Sequence, residues 1–394
     1  MNYKLLAKAI QEYIDANLNA DINQIALARS KFEGVSAAEL AGQLLSKKKS
    51  EKKLPSWFQA SDIYYPPPLS IEQTSSEITA QYKSKLAVGD VLIDLTGGFG
   101  VDAYYFSKQI RKVTHCEINQ ELSAIAAHNA KILRAENIHF EAVDGMAFVR
   151  NANEQYDTVY IDPARRAGKG KVFMLKDCTP DVTANLDLLL QKAGRIIIKT
   201  APLLDITAGL TELKFVSEIH IVSVKNECKE LLWILDQDFS GEPKITAVAL
   251  NEKEKVFCFK KSESDVNVSF SDNLASFKYL YEPDAALLKS GAFNLIAASY
   301  QLAKLHPQTQ LYASNIINSD FPGRIFELEG QLTAADLKKT GNLTGNVIVR
   351  NYPAKAEELV KKYKIKSNHN QFLIFTKIAN GENVILKASI IQHY

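Results

Sequence analysis

From Val91 to Gln237 the chain alternates short runs rich in β-branched residues with stretches of helical periodicity. The first runs are Val91–Leu95, Val113–Glu117, Ile138–Val143, Thr158–Asp162 and Arg195–Thr200. A strand apolar along its whole length must be covered on both faces, and the long gaps between these runs suit crossover helices rather than tight turns. The pattern predicts βαβ units and a doubly wound, Rossmann-like parallel sheet. Two further runs, Phe215–Val224 and Glu230–Gln237, have only a few polar residues between them. That gap admits no helix, so these two are expected to pair as an antiparallel hairpin.

On either side the rhythm changes. Leu5, Leu6, Ala9, Ile10, Tyr13 and Ile14 share one helical face, which makes residues 1 to about 45 a helical region. The stretch Lys47-Lys48-Lys49-Ser50-Glu51-Lys52-Lys53 is either a solvated helix end or loop, or a patch that contacts phosphate. Pro66-Pro67-Pro68 fixes an extended connector, and the hydroxyls of Thr74, Ser75 and Ser76 can cap a helix running to about Leu86. Past residue 240, Lys244–Leu250 and Lys255–Lys261 read as strands and residues 283–305 as helix. The tail reads as Asn346–Asn351, a basic helix around 354–364, then Gln371–Ile378 and Asn383–Ile390, which makes one or two small α+β modules.

At 394 residues the chain exceeds one typical core, so several domains are expected. Its formal net charge is +2, so a nucleic-acid partner would need a local basic surface. Cys116, Cys178, Cys228 and Cys258 form no CxxC or Cys/His cluster, which argues against a disulfide framework and a zinc site, and no metal is expected. The N-terminus is amphipathic and carries acidic residues, unlike a signal peptide, and no apolar run approaches a membrane span. A cytoplasmic protein with no membrane partner is expected.

The first strand runs into Asp94-Leu95-Thr96-Gly97-Gly98-Phe99-Gly100. Glycines there let the backbone turn sharply and approach a ligand without a Cβ in the way. Asp94 stands at the carboxyl edge of the sheet, where doubly wound folds bind ligands, and can pair with the ammonium of a bound amino acid. The loop lacks both the GxGxxG fingerprint and a P-loop lysine, which disfavours a nicotinamide dinucleotide or a nucleoside triphosphate. Glu117, at the end of the second strand, is placed for a ribose hydroxyl, and Asp144-Gly145, after the third, for the amino group of an adenine.

Residues 91–163 resemble the S-adenosylmethionine-binding core of class I methyltransferases, and five parallel strands closed by a hairpin are that class's seven-stranded inventory. The resemblance implies that Asp94, Gly97 and Gly100 surround the methionine portion, Glu117 the ribose and Asp144 the adenine. Thr96, Gly98, Ile118 and Gly145 complete the same three turns.

The fourth strand runs into Asp162-Pro163-Ala164-Arg165-Arg166. Its place corresponds to the [DN]PP[YFW] motif of methyltransferases acting on the amino groups of bases, with Ala164 for the second proline and Arg165 for the aromatic residue. It is also similar to the DPPR segment of RNA uracil-5 methyltransferases, which use a cysteine after the fifth strand; here that place reads Lys199-Thr200-Ala201-Pro202. Covalent catalysis by cysteine is therefore not expected. The chemistry reduces to holding an acceptor in line with the sulfonium methyl group, with Asp162 orienting or deprotonating it and Pro163 and Arg165 beside it. Asp162 could equally brace a loop, and Arg165 and Arg166 could meet substrate phosphate or pair with Asp162.

Tyr281-Glu282-Pro283-Asp284-Ala285-Ala286-Leu287-Leu288, Phe321-Pro322-Gly323-Arg324 and Val349-Arg350-Asn351-Tyr352-Pro353 resemble a set of class I methyltransferases frequent in Bacteroidetes. These carry a C-terminal ferredoxin-like segment and a THUMP-like domain. The expected division is an N-terminal helical region over 1–74, the methyltransferase domain over 75–240 and a strand-rich connector over 241–280. The ferredoxin-like segment follows over 281–324 and the THUMP-like domain over 325–394. THUMP modules occur in enzymes that modify tRNA or rRNA, so the resemblance implies an RNA substrate. Lys355, Lys361, Lys362, Lys364 and Lys366 near Tyr352 and Tyr363 are either an RNA-contacting mixture or a solvated helix face. The competing readings are methylation of a small molecule or protein, and a non-catalytic S-adenosylmethionine-binding protein.

Overall fold

A computed structural model of the chain describes residues 1–165, 174–270, 273–339 and 343–394, without the side chains of Arg165 and Lys339. It divides into two compact units, one of Met1–Ser217 with Trp233–Ser240 and the other of Glu218–Leu232 with Gly241–Tyr394.

The first unit is built on five parallel strands, β1 (Val91–Asp94), β2 (Lys112–Cys116), β3 (Ile138–Glu141), β4 (Tyr156–Ile161) and β5 (Ala193–Thr200), in the order β3-β2-β1-β4-β5. Leu92, Ile93, Val113, Val159, Ile196, Ile197 and Ile198 are wholly buried, as a sheet covered on both faces requires. Helices Val101–Phe106, Gln120–Ile132, Gly145–Asn151 and Val182–Lys192 follow β1 to β4. Asn119, Asp144 and Asp181 cap the last three by accepting a backbone N–H with their side chains. The order reverses between β1 and β4, and this switch point opens a crevice at the carboxyl ends of the strands.

The N-terminal region folds as helices Lys8–Ala16, Ile22–Leu27 and Ala37–Lys53 over a core that includes Leu5, Ile14, Leu44 and Trp57. The lysine-rich stretch is the end of the last of these helices, and three of its lysines are engaged within the unit. Lys47 pairs with Asp15, Lys49 with Glu72, and Lys53 donates to the Ile71 and Glu72 carbonyls. The proline run ends one residue earlier than an extended connector would: Pro68 opens the helix Pro68–Gln73, the position where a missing N–H costs nothing. Ser76 caps Glu77–Ser84.

β6 (Val216–Val224) and β7 (Glu227–Asp236), whose residues are divided between the two units, are neighbours, as expected of the hairpin. Their turn is Lys225–Asn226, both with positive φ (51° and 60°), the two-residue geometry that matches strand twist. β8 (Lys244–Leu250) joins β6 in parallel and β9 (Glu254–Lys260) joins β8 antiparallel. A second sheet holds β10 (Tyr279–Pro283), β11 (Ala303–His306), β12 (Thr309–Ser314), β13 (Gly323–Leu332), β14 (Asn346–Val349), β15 (Gln371–Lys377) and β16 (Asn383–Gln392). Its order is β11-β12-β10-β13-β16-β15-β14. The stretch expected as one helix over 283–305 is two, Ala285–Ser290 and Phe293–Ser299, because Gly291 at φ 74° ends the first. The basic helix is Ala356–Tyr363. Tyr352 packs edge-on against Phe375, 5.4 Å away, so its ring serves the core rather than a stacking platform.

Candidate cofactor and active site

The crevice at the switch point holds a cavity of about 380 Å³ within the first unit. Of the residues singled out in the sequence, Thr96, Gly97, Gly98, Glu117, Ile118, Asp144, Gly145 and Asp162 line it together. Asp94, Gly100 and Pro163 are not among its lining residues. Arg166 lies outside the described residues, as does the side chain of Arg165, whose backbone pairs with Cys178.

The loop after β1 is as tight as its glycines suggested. A Cβ on Gly97 would sit 2.2 Å from Nε2 of the buried His115, and one on Gly145 would sit 2.3 Å from the Leu95 carbonyl oxygen. Gly98 and Gly100 adopt positive φ (53° and 83°). Burial pulls the His115 imidazole down to about 4, so the ring beneath the loop is neutral at physiological pH.

Asp94 is 1% exposed. One carboxylate oxygen accepts from the Thr96 N–H at 3.0 Å, and the other is buried with no partner. Burial first, then the nearby carboxylates of Asp102, Asp162 and Glu117, push its carboxyl well above the usual range. A buried acid with an open lone pair beside other acids is an environment that a cation would relieve.

The Glu117 carboxylate accepts from the Gly98 N–H at 2.9 Å and the Asn119 N–H at 2.8 Å, tying the glycine loop to the end of β2. One Asp144 oxygen accepts from the Ala147 N–H at 2.8 Å. Ile118 lies on the cavity wall with 70% of its surface exposed, an apolar face for a flat ring.

Asp162 meets the loop from the other side: its N–H donates to Thr96 Oγ1 at 2.7 Å, and its carboxylate pairs with Lys199 from the end of β5. Sequence reasoning noted Lys199 only as a place without cysteine. Cys116 lines the cavity, but burial pushes its thiol up to about 12, so it offers no thiolate. Cys178 directs its thiol at the Met174 carbonyl oxygen, and Cys228 lies on β7.

Ser70, Gln73, Thr74 and Ser75 also line the cavity, a contribution of the N-terminal connector that no local motif announced. A buried network fixes this segment. Lys83, wholly buried, donates to Ser75 Oγ at 2.7 Å and lies 3.1 Å from Asp102, which accepts from Ser75 Oγ at 2.8 Å and Tyr160 Oη at 2.9 Å. Burial acts to raise the Asp102 carboxyl, but Lys83, Lys199 and these hydrogen bonds outweigh it and hold it below its ordinary value.

A glycine turn after the first strand, acids at the ends of the first three and a closing hairpin define the class I methyltransferase fold. The crystal structure of a protein of Porphyromonas gingivalis W83 assigned as a methyltransferase superposes on the chain with a TM-score of 0.85. The two are 30% identical over 99% of each. The chain belongs to that family, methyltransferases whose C-terminal part is ferredoxin-like and THUMP-like. Family models match residues 279–322 as a ferredoxin-like domain and residues 323–388 as THUMP domain-like. A methyltransferase of Streptococcus mutans in complex with SAH is 12% identical over 41% of this chain and 96% of its own, with a TM-score of 0.31. An rRNA methylase of Streptococcus thermophilus is 12% identical over 41% of this chain and 94% of its own, with a TM-score of 0.30. No curated protein matches. Among the described residues no helix is long and apolar enough to cross a membrane, and no group of three or more His, Cys, Asp or Glu side chains could hold a metal ion.

Proposed function

We propose that this protein is an S-adenosylmethionine-dependent methyltransferase that modifies RNA, a tRNA or rRNA, without a cysteine nucleophile. One observation carries the cofactor assignment: a single cavity gathers the glycine loop and the acidic ends of β2 and β3, with the buried, half-satisfied Asp94 carboxyl beside them. In this reading Asp94 answers the cofactor's ammonium, Glu117 the ribose hydroxyls and Asp144 the adenine amino group, with Ile118 against the ring. Gly97, Gly98 and Gly145 keep the walls thin enough for close approach, and Gly100 lets the loop turn into the following helix. The cofactor supplies a methyl group on a sulfonium, and the protein's part is to hold the acceptor in line with it.

Asp162 is the group that meets the acceptor. Its carboxylate lines the cavity and is fixed through the Lys199 ion pair and its backbone contact to Thr96. It accepts a hydrogen bond from an amine or hydroxyl and takes its proton as the methyl group arrives. The Pro163 carbonyl and Arg165 stand next in sequence for a second contact and for stacking or phosphate. The THUMP domain-like match over 323–388 supports RNA as the acceptor.

The test is methyl transfer from radiolabelled S-adenosylmethionine to total RNA, alongside total protein and a small-molecule extract. RNA labelling that disappears in Asp162→Ala, with cofactor binding kept, supports the reading. Label only in protein or small molecules removes the RNA substrate. Cofactor binding with no transfer to any fraction leaves a binding protein rather than an enzyme.

A further inference from the structure

The three C-terminal motifs singled out in the sequence converge on one carboxylate. Glu282, 2% exposed at the end of β10, accepts from Arg324 Nε at 2.6 Å through one oxygen and from Arg350 Nη2 at 2.6 Å through the other. Arg324 begins β13 and Arg350 follows β14, so the sheet draws together residues separated by 68 positions. Two guanidinium groups share one negative charge, which leaves one positive charge in excess. Arg350 Nη1 donates to the Val349 carbonyl at 2.9 Å, while Arg324 Nη1 and Arg350 Nε have no partner among the described residues.

Both arginines line a cavity of about 530 Å³ within the second unit. Asn346, His369, His393 and Phe372 share its wall, and no acidic residue is among the lining residues. Asn346 uses its carbonyl oxygen to accept from Ser367 Oγ at 2.7 Å, which leaves its amide nitrogen to donate. The Arg324 guanidinium is stacked among Phe326, Phe372 and Tyr394, 5.1 to 5.6 Å from the ring centres, so its plane is set before any ligand arrives. A wall of fixed N–H donors with surplus positive charge recognises an anion, and the planar forks favour phosphate oxygens. Flat groups on the same wall and a volume in the range of small-ligand sites suit a ring joined to that phosphate.

We propose that this cavity is a second ligand site that binds a nucleotide through its phosphate, with Arg324 and Arg350 as the anchor and the nucleotide either free or part of an RNA strand. It involves none of the cofactor-cavity residues and stands or falls separately from the methyltransferase reading. The buried Glu282 pair also explains why arginine rather than lysine occupies both positions, since only the fork reaches the carboxylate and still presents donors outward.

The test is equilibrium binding of adenosine 5′-monophosphate and of a single-stranded octaribonucleotide to the full chain. Saturating S-adenosylhomocysteine is present throughout, so that the first cavity cannot report. Arg350→Gln is one variant. The double variant His369→Ala/His393→Ala, at exposed positions away from Glu282, covers the case in which Arg350→Gln unfolds. The expected result is salt-sensitive binding of one probe or both, weakened by about tenfold or more in these variants. Binding of the mononucleotide identifies a free nucleotide, and binding of the octamer alone identifies a strand. If neither probe binds, or if both variants bind like the wild type, the proposal is overturned.

Discussion

Lys199 Nζ donates to the Asp162 carboxylate at the carboxyl ends of two adjacent parallel strands, β5 and β4. Ile161 and Ile198 are partners in that ladder, so the residues that follow each are neighbours by register. The lysine is 16% and the aspartate 33% exposed, which leaves the carboxylate open to the cavity and the cation behind it. In the proposed function, the acid that meets the acceptor is thus oriented by a partner that does not.

That arrangement predicts a separation of effects. Asp162→Ala should lower kcat by about 10²–10⁴-fold, the usual contribution of a positioned acid–base group, and leave cofactor affinity unchanged. Lys199→Met should lower kcat less, because Asp162 keeps its carboxylate but loses the partner that fixes its orientation. Single-turnover methyl transfer, with parallel cofactor titration, checks both. A Lys199→Met variant that turns over as fast as the wild type would remove the positioning role.

Within the glycine loop, Gly97 is where an added Cβ meets a buried ring most closely. Gly97→Ala would drive a methyl group into the buried His115 ring, a clash with no flexible end to yield, at a cost of about 1–3 kcal/mol and loss of the loop's shape. Gly42→Ala, in the helix Ala37–Lys53 with nothing within 4 Å of the new carbon, should instead stabilise by roughly 0.5–1 kcal/mol. Urea unfolding of both variants gives the two signs.

How much of this was legible beforehand follows from the range of the interactions. The strands were readable because burial on both faces leaves β-branched runs, and the tight loop after β1 because such turns demand glycine at fixed places. That Asp94, Glu117 and Asp144 stand near one another was readable because the sheet puts strand ends side by side. Lys199, Lys83 and the connector residues Ser70–Ser75 were not, since each acquires its place from a partner far along the chain. The run at Lys47–Lys53 left two readings open for the same reason: it is a helix end, and Asp15 and Glu72, which take two of its charges, are invisible to local pattern. The convergence of Arg324 and Arg350 on Glu282 needed the sheet order.

The buried Lys83–Asp102 pair predicts strong non-additivity. Removing one charge, as in Lys83→Met, strands the other in a low-dielectric interior and should cost about 3–5 kcal/mol. Lys83→Met with Asp102→Asn should cost less than the sum of the two single changes. A double-mutant cycle by urea unfolding measures the coupling, and additive effects would show that the pair is not an interacting unit.

His115 predicts an acid-side loss of stability. Its folded value of about 4 lies below the ordinary 6.5, so between those values the unfolded chain binds a proton that the folded chain refuses. The contribution is fully present above pH 6.5 and falls as pH drops toward 4, by about 3 kcal/mol in all. His115→Gln should flatten that part of the stability–pH curve relative to the wild type. Parallel curves would mean the imidazole is not buried neutral.

Isothermal titration with S-adenosylmethionine, of the wild type and of Asp94→Ala, tests the central claim most directly. The account predicts one site per chain for the wild type, with binding lost or greatly weakened in the variant while its circular dichroism stays native. A folded wild type that takes up no S-adenosylmethionine, or an Asp94→Ala variant that binds it equally well, would contradict the assignment of this cavity.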